Sequence, residues 1–231
     1  PNLLEAITAL KKEDSSFEMY VMMGAWINCK GAFTDSPDHT QEDEAFNKAE
    51  IERAVQYAQQ YPEIIKIIAV GNEAMVHWAA SYFVPPSVIL KYVNYVQDLK
   101  ANGDLPEDLW VTSSDNFASW GGGDVSYHNE DLDNLIKAVD YISVHTYPFH
   151  DTHYNKKYWE ASQENTQNQT KLESIDDAMK RAIDYAISQY NSVKDYVTNL
   201  GINKHIHIGE TGWATVSSGL YGSKGSQAAD E

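Results

Sequence analysis

The apolar positions of this chain fall into two alternating kinds of segment. "FEMYVMMG" (17–24) is rich in strand-favouring residues and ends at Gly24. From about Gln41 to Tyr61, Ile51, Ala54, Val55 and Ala58 recur at helical spacing, and Pro62 closes the segment. "IIKIIAVGNE" (64–73) is apolar on both faces, as expected of a strand buried in a parallel sheet. "VPPSVILKYVNYVQDLKANG" (84–103) returns to the helical period through Ile89, Tyr92, Val93 and Val96. Ser87 is its expected N-cap, and Gly103 lies just past its end. "LWVTSSDN" (109–116) reads as a strand, and "EDLDNLIKAVD" (130–140) as a helix with Leu132, Leu135, Ile136 and Val139 on one side. "YISVHTYP" (141–148) is a strand again. A long helix is expected from near Ser174, where Ser174 and Asp177 have the spacing of a capping box and Ile175, Ala178, Met179 and Ala182 face inward. "HIHIGE" (205–210) is the fifth strand.

Strands separated by helices predict a parallel α/β architecture in a single domain, since neither a repeat nor a linker is visible. The candidates are a (β/α)₈ barrel and a doubly wound open sheet. No glycine-rich phosphate loop follows any strand, and "WGGGD" (120–124) lacks the G-x-G-x-x-G frame, which weakens the dinucleotide-binding reading. A full barrel takes about 250 residues and eight strands. Five are expected here.

Composition narrows the partners. The 231 residues hold 34 acidic against 17 basic side chains, a formal charge of −17, which argues against nucleic acid or an anionic membrane and suits a neutral or cationic substrate. No stretch approaches the roughly 20 apolar residues of a membrane span, and no signal peptide is visible. The opening "PNLLEAITAL" reads as the middle of a helix-bearing protein. The single cysteine, Cys29, excludes an internal disulfide framework and is expected to be a buried thiol.

In parallel α/β folds the site lies at the C-terminal ends of the strands. Trp26 follows the first strand here. Asn72, Glu73, His77 and Trp78 follow the second, and Asp115, Asn116 and Trp120 the third. His145, Tyr147, His150 and Trp159 follow the fourth, and Glu210 and Trp213 the fifth. Five of the six tryptophans thus fall in segments expected at one face; Trp110 is the exception. Core packing does not predict that distribution. A cleft lined with flat apolar surfaces does, and such surfaces stack on sugar rings.

Glu73 and Glu210 stand at equivalent places, each after an apolar strand and its glycine. One strand-end glutamate is most simply a surface charge or a helix-cap partner. Two of them, on different strands and amid tryptophans, fit the carboxylate pair that glycoside hydrolysis requires. A rival reading uses the "HxH" of His205 and His207 as a metal pair. Strict alternation, however, puts Ile206, Ile208 and Glu210 on one side and both histidines on the other, facing the helices. "HDTH" (150–153) lies in a polar loop of roughly thirty residues, well above common loop lengths, and reads as solvated cleft wall.

"AVGNE", "VHTYPF" and "IGETGW", in that order, resemble glycoside hydrolase family 17, the β-1,3-glucanases and β-1,3-glucanosyltransferases, with the bacterial form of the middle motif. The resemblance implies a (β/α)₈ barrel with glutamates after strands four and seven. The strands here then correspond to the third through seventh, so residues 1–231 are expected to be an incomplete catalytic barrel, truncated at both ends. It implies Glu73 as general acid/base, Glu210 as nucleophile, Asn72 as the residue holding the sugar 2-hydroxyl, Tyr147 as a hydrogen-bond partner near the nucleophile, and Trp213 as the aromatic after it. Trp78, Trp26, Asn116, Trp120 and His145 join them as expected substrate-binding residues. The family retains anomeric configuration. The expected activity is cleavage of laminarin-like β-1,3-glucan through a covalent glycosyl-enzyme, without metal or cofactor. The alternatives are transglycosylation at the same site and a non-catalytic glucan-binding protein. A polysaccharide substrate implies an extracellular or periplasmic location.

Overall fold

The computed structural model describes residues 2–148, 163–166, 169–172 and 175–212. Helix α1 (Asn2–Glu13) buries Leu4 and Ile7 and leads into β1 (Val21–Ala25). A short antiparallel hairpin follows, β2 (Cys29–Lys30) with β3 (Asp38–Glu42), then α2 (Glu44–Gln60) and β4 (Ile65–Asn72). Next come α3 (Pro86–Ala101), β5 (Trp110–Asn116), α4 (Glu130–Ala138) and β6 (Ile142–His145). A second hairpin, β7 (Gln163–Thr166) with β8 (Gln169–Leu172), precedes α5 (Ile175–Asn199) and β9 (Ile206–Glu210).

The five expected strands form one parallel sheet in the order β1-β4-β5-β6-β9. Its neighbours follow chain order, with no point at which the order reverses. Parallel crossovers are right-handed, so steps taken in one direction lay α2, α3, α4 and α5 on the same face. That face holds the core. Ile68, Val70, Val111, Ile142 and Val144 of the strands pack with Ile51, Ala54 and Ala58 of α2, Ile89, Val93 and Val96 of α3, Leu132, Leu135 and Ile136 of α4, and Val193 and Val197 of α5. The stripes read from the sequence for α2, α3 and α4 are therefore the buried ones; of the stripe expected on α5, Ala182 is buried and Met179 half-buried, and the side chains of Ile175 and Ala178 lie outside those described. Cys29 is buried as expected, and burial raises its thiol pKa.

Some local expectations change. The N-cap of α3 is Pro85, with Pro86 at the first helical position, so Ser87 lies inside the first turn instead of capping it. Proline suits that position because its fixed φ matches the helix and its missing N–H would have no partner there. The sequence does not predict the β2–β3 hairpin, because "DHTQE" carries no apolar alternation. The β7–β8 hairpin lies within the expected long loop. Ser174 lies outside the described residues.

The most consequential difference is in β9. Val144 pairs with Ile208 and His145 with Glu210, so Gly209 is an extra residue at a register shift. A bulge of this kind reverses the side-chain alternation beyond it. His207, paired with Ser143, and Glu210, paired with His145, therefore lie on the same face of the sheet. The ring of His207 packs 4.9 Å from that of Tyr141 and 6.0 Å from that of Trp110, and His205 lies 6.3 Å from His207. The two histidines do not point toward the helices, as alternation predicts. They lie on the face opposite the helices, and neither belongs to a set of three metal-ligating side chains among the described residues.

Candidate active site

Glu73 follows the last residue of β4, and two backbone features aim it. Gly71 adopts φ +80°, where a Cβ would stand 3.0 Å from Ile89 Cδ1. Glu73 itself adopts φ +47°, a conformation costly for a non-glycine residue. The amide of Glu73 donates to Ser114 O at 2.9 Å, tying the turn to β5. One step further, the fully buried carboxylate of Asp115 accepts from the amides of Met75 at 2.8 Å and Asn116 at 2.7 Å. Burial pushes the Asp115 carboxyl up to about 6 against the pull of those donors.

Glu210 reaches the same place from β9. The buried ring of His145 links the pair: its Nδ1 lies 3.1 Å from Glu73 Oε1 and 3.5 Å from Glu210 Oε2. One carboxylate oxygen from each glutamate and a ring nitrogen of His145 all lie within 4.8 Å of one another. Below the ring, His145 Nε2 lies 2.6 Å from Ser114 Oγ, which is 2.9 Å from Ser143 Oγ. A proton on Nδ1 completes this network: the ring donates to Glu73, and Nε2 accepts from the Ser114 hydroxyl. The same three side chains could hold a divalent cation.

Tyr147 donates its hydroxyl to Glu210 Oε2 at 2.9 Å. Burial first, then the neighbouring charges of Glu210 and Glu73, push its phenol up to about 12, so it remains a donor at any ordinary pH. Tyr82 is raised to about 12 in the same way, by burial and then by Glu73, Asp115 and Glu210. Its ring lies 5.1 Å from Trp26, whose indole N–H donates to Asn28 Oδ1 at 2.6 Å.

The structure therefore brings Glu73, His145, Tyr147 and Glu210 together, with Asn72 half-exposed next to Glu73. Trp26 stands beside Tyr82, and Trp78 is 60% exposed on the loop after β4. His145 is completely buried, so it faces the carboxylates instead of open cleft. Asn116 is 7% exposed, and its side-chain oxygen accepts from the Ala118 amide. Trp120, expected in the cleft, is fully buried and donates its indole N–H to Ser143 O at 3.0 Å. The turn over Ala118–Gly122 directs it inward: Gly121 takes φ +87° against Tyr196, where a Cβ would meet the ring at 2.2 Å. Trp213, His150, His153 and Trp159 lie outside the described residues. Sequence reasoning gave no role to Tyr82, Ser114, Ser143 or Asp115. The signal for two of them, Ser114 and Asp115, was the polar "TSSD" inside a buried strand.

Two carboxylates this close, one hydrogen-bonded to a phenol and both facing a buried imidazole, can divide proton donation and nucleophilic attack between them. No protein-family model matches the chain, and no curated protein sequence matches it. Among solved structures, an endo-laminarinase from Formosa Hel1_33_131 is similar over 99% of this chain, at 62% identity and a TM-score of 0.91. The chain spans 58% of that protein's length.

Proposed function

We propose that this chain carries the catalytic centre of a retaining endo-β-1,3-glucanase of glycoside hydrolase family 17, acting on laminarin-like polysaccharide. The observation that carries the reading is the convergence of Glu73 and Glu210 on His145, with the three facing atoms within 4.8 Å of one another. A retaining enzyme needs its carboxyl groups about 5–5.5 Å apart, whereas an inverting one leaves about 6.5–9.5 Å for a water. The short separation supports direct attack.

Glu73 protonates the leaving glycosidic oxygen while Glu210 attacks the anomeric carbon, giving a covalent glycosyl-enzyme and a freed glucan end. Glu73 then takes a proton from the incoming water, whose oxygen displaces Glu210. The Tyr147 hydroxyl supports this division of roles, because its hydrogen bond at 2.9 Å orients the Glu210 carboxylate. Asn72 holds the sugar 2-hydroxyl beside Glu73. Trp26, Trp78 and Trp213 offer flat apolar surface to sugar rings. The similarity to an endo-laminarinase supports the choice of substrate. The unreversed strand order supports an arc of a (β/α)₈ barrel, in which neighbours follow chain order and the site gathers at the C-terminal strand ends. A polysaccharide substrate supports an extracellular or periplasmic location.

Laminarin hydrolysis by the full-length protein, followed by NMR from the first seconds, tests this. The expected first products are oligosaccharides with β-configured reducing ends. Initial α-anomers overturn the retaining mechanism, and products longer than the substrate identify transfer to sugar in place of water. Glucan binding without reducing-sugar release identifies a binding protein.

A further inference from the structure

Among the described residues, only two non-glycine residues hold a positive φ, Glu73 at +47° and Phe33 at +60°. A bulky side chain in that region is strained, and such strain persists where the surroundings over-determine it, most often at functional sites. Glu73 has a role that explains its strain. Phe33 has no packing role that does, since its ring is 62% exposed.

The β2–β3 loop is nevertheless built to hold Phe33 in place. Its amide donates to Ser81 O at 2.8 Å, and the Thr34 hydroxyl donates to Gly31 O at 2.6 Å. Gly31 takes φ +69°, and a Cβ there would approach Ser36 O at 3.2 Å. The Phe33 ring lies 5.3 Å from Tyr82 at an interplanar angle of 31°, and 6.3 Å from Trp26 at 33°. Trp26 and Tyr82 are themselves 5.1 Å apart. The three rings form one continuous aromatic wall. Its inner member, Tyr82, feels the charges of Glu73 and Glu210, and its outer member, Phe33, meets solvent.

We infer that Phe33 is a stacking platform for a glucose ring of the β-glucan chain remote from the scissile bond, so that the β2–β3 hairpin sets how long a chain the cleft prefers. The occupant follows from the wall's chemistry: an exposed apolar ring matches the C–H face of a neutral sugar, and a chain of net charge −17 disfavours an anionic ligand. The inference rests on the glucanase reading above.

The test compares the full-length protein with its Phe33→Ala, Phe33→Tyr and Phe33→Gly variants on laminari-oligosaccharides of two to seven units. Binding is measured by calorimetry in a Glu210→Gln background, and cleavage in the active background. Phe33→Ala should weaken binding and raise KM for the longest oligosaccharides roughly three- to tenfold. It should leave kcat, and all constants for the shortest cleaved one, unchanged. Phe33→Tyr should restore the long-chain values. Phe33→Gly, which relieves the φ strain, should raise the melting temperature yet show the same long-chain loss. Equal losses at every chain length, no loss at any length, or a changed oligomeric state in Phe33→Ala would overturn the platform. Cleavage with binding that ignores Phe33 removes the platform and keeps the glucanase. Phe33-dependent binding without cleavage keeps the platform and removes the hydrolytic role. Neither binding nor cleavage by the parent protein overturns both.

Discussion

A Cβ on Gly209 would stand 2.1 Å from Ser143 Oγ and 3.1 Å from Ser114 Oγ. Those two hydroxyls form the chain that ends on His145 Nε2, at 2.9 Å and 2.6 Å. The glycine before Glu210 is thus the residue that lets β9 come close to the histidine's support. Gly209→Ala should force the serines or β9 apart, costing about 1–3 kcal/mol as over-packing does, and lower kcat at least tenfold by moving Glu210. The double variant Gly209→Ala/Ser143→Ala makes room and should recover part of both losses. Urea denaturation and steady-state kinetics on the four-member cycle check this; additive losses would show that the two positions do not share one space.

Glu210 and Tyr147 should separate chemistry from orientation. Glu210→Gln keeps the shape and removes the proposed nucleophile, so turnover should fall by at least about a thousandfold with oligosaccharide binding kept. Tyr147→Phe removes one hydrogen bond to a charged group, worth about 1.5–3 kcal/mol, and should lower kcat roughly ten- to a hundredfold. Equal kcat in Tyr147→Phe would dismiss the phenol as a determinant of Glu210.

Asp115 predicts a slope in stability against pH. Its folded carboxyl sits at about 6 against an ordinary value of 3.8, so the folded state holds the proton more tightly than the unfolded one. The stabilisation from this group is complete below pH 3.8 and is lost as pH rises through 6. The shift corresponds to roughly 3 kcal/mol. Asp115→Asn cannot titrate. The difference in unfolding free energy between parent and variant should therefore change by up to that amount between pH 4 and 7, with the parent losing stability as pH rises. A pH-independent difference in urea melts would contradict the assignment.

The strain at Glu73, φ +47°, should be recoverable as stability. Glu73→Gly removes the Cβ that makes this conformation costly and should raise the unfolding free energy by up to about 1 kcal/mol while abolishing turnover. A destabilised Glu73→Gly would show that contacts of the side chain outweigh its backbone cost.

Much of this protein was legible before its structure. The apolar stripes gave the helices that cover the sheet, because a helix or strand buries one face and that face carries a fixed period. "IIAVGNE" and "HIHIGE" marked Glu73 and Glu210, because an apolar strand that ends on a glycine and a carboxylate is chemically conspicuous. What alternation got wrong was the side of β9 on which His207 lies, since one bulged residue at Gly209 reverses every assignment beyond it. Trp120 was misplaced for a related reason: loop position says that a ring lies near the strand ends, not which way the turn at Gly121 aims it.

The sequence by itself determined the order of the five sheet strands and of the helices between them, the carboxylate pair and the acidic character of the chain. These depend on local periodicity and on residue chemistry. Only the tertiary structure decided that Glu73 and Glu210 meet at His145, that Ser114 and Ser143 carry that ring, that Asp115 is sealed beneath the turn, and that Phe33 is held out against its own backbone preference. Each of these is a relation between segments distant along the chain, fixed by strand register and by the positive-φ turns at Gly71, Glu73 and Phe33. Side-chain periodicity carries no information about either.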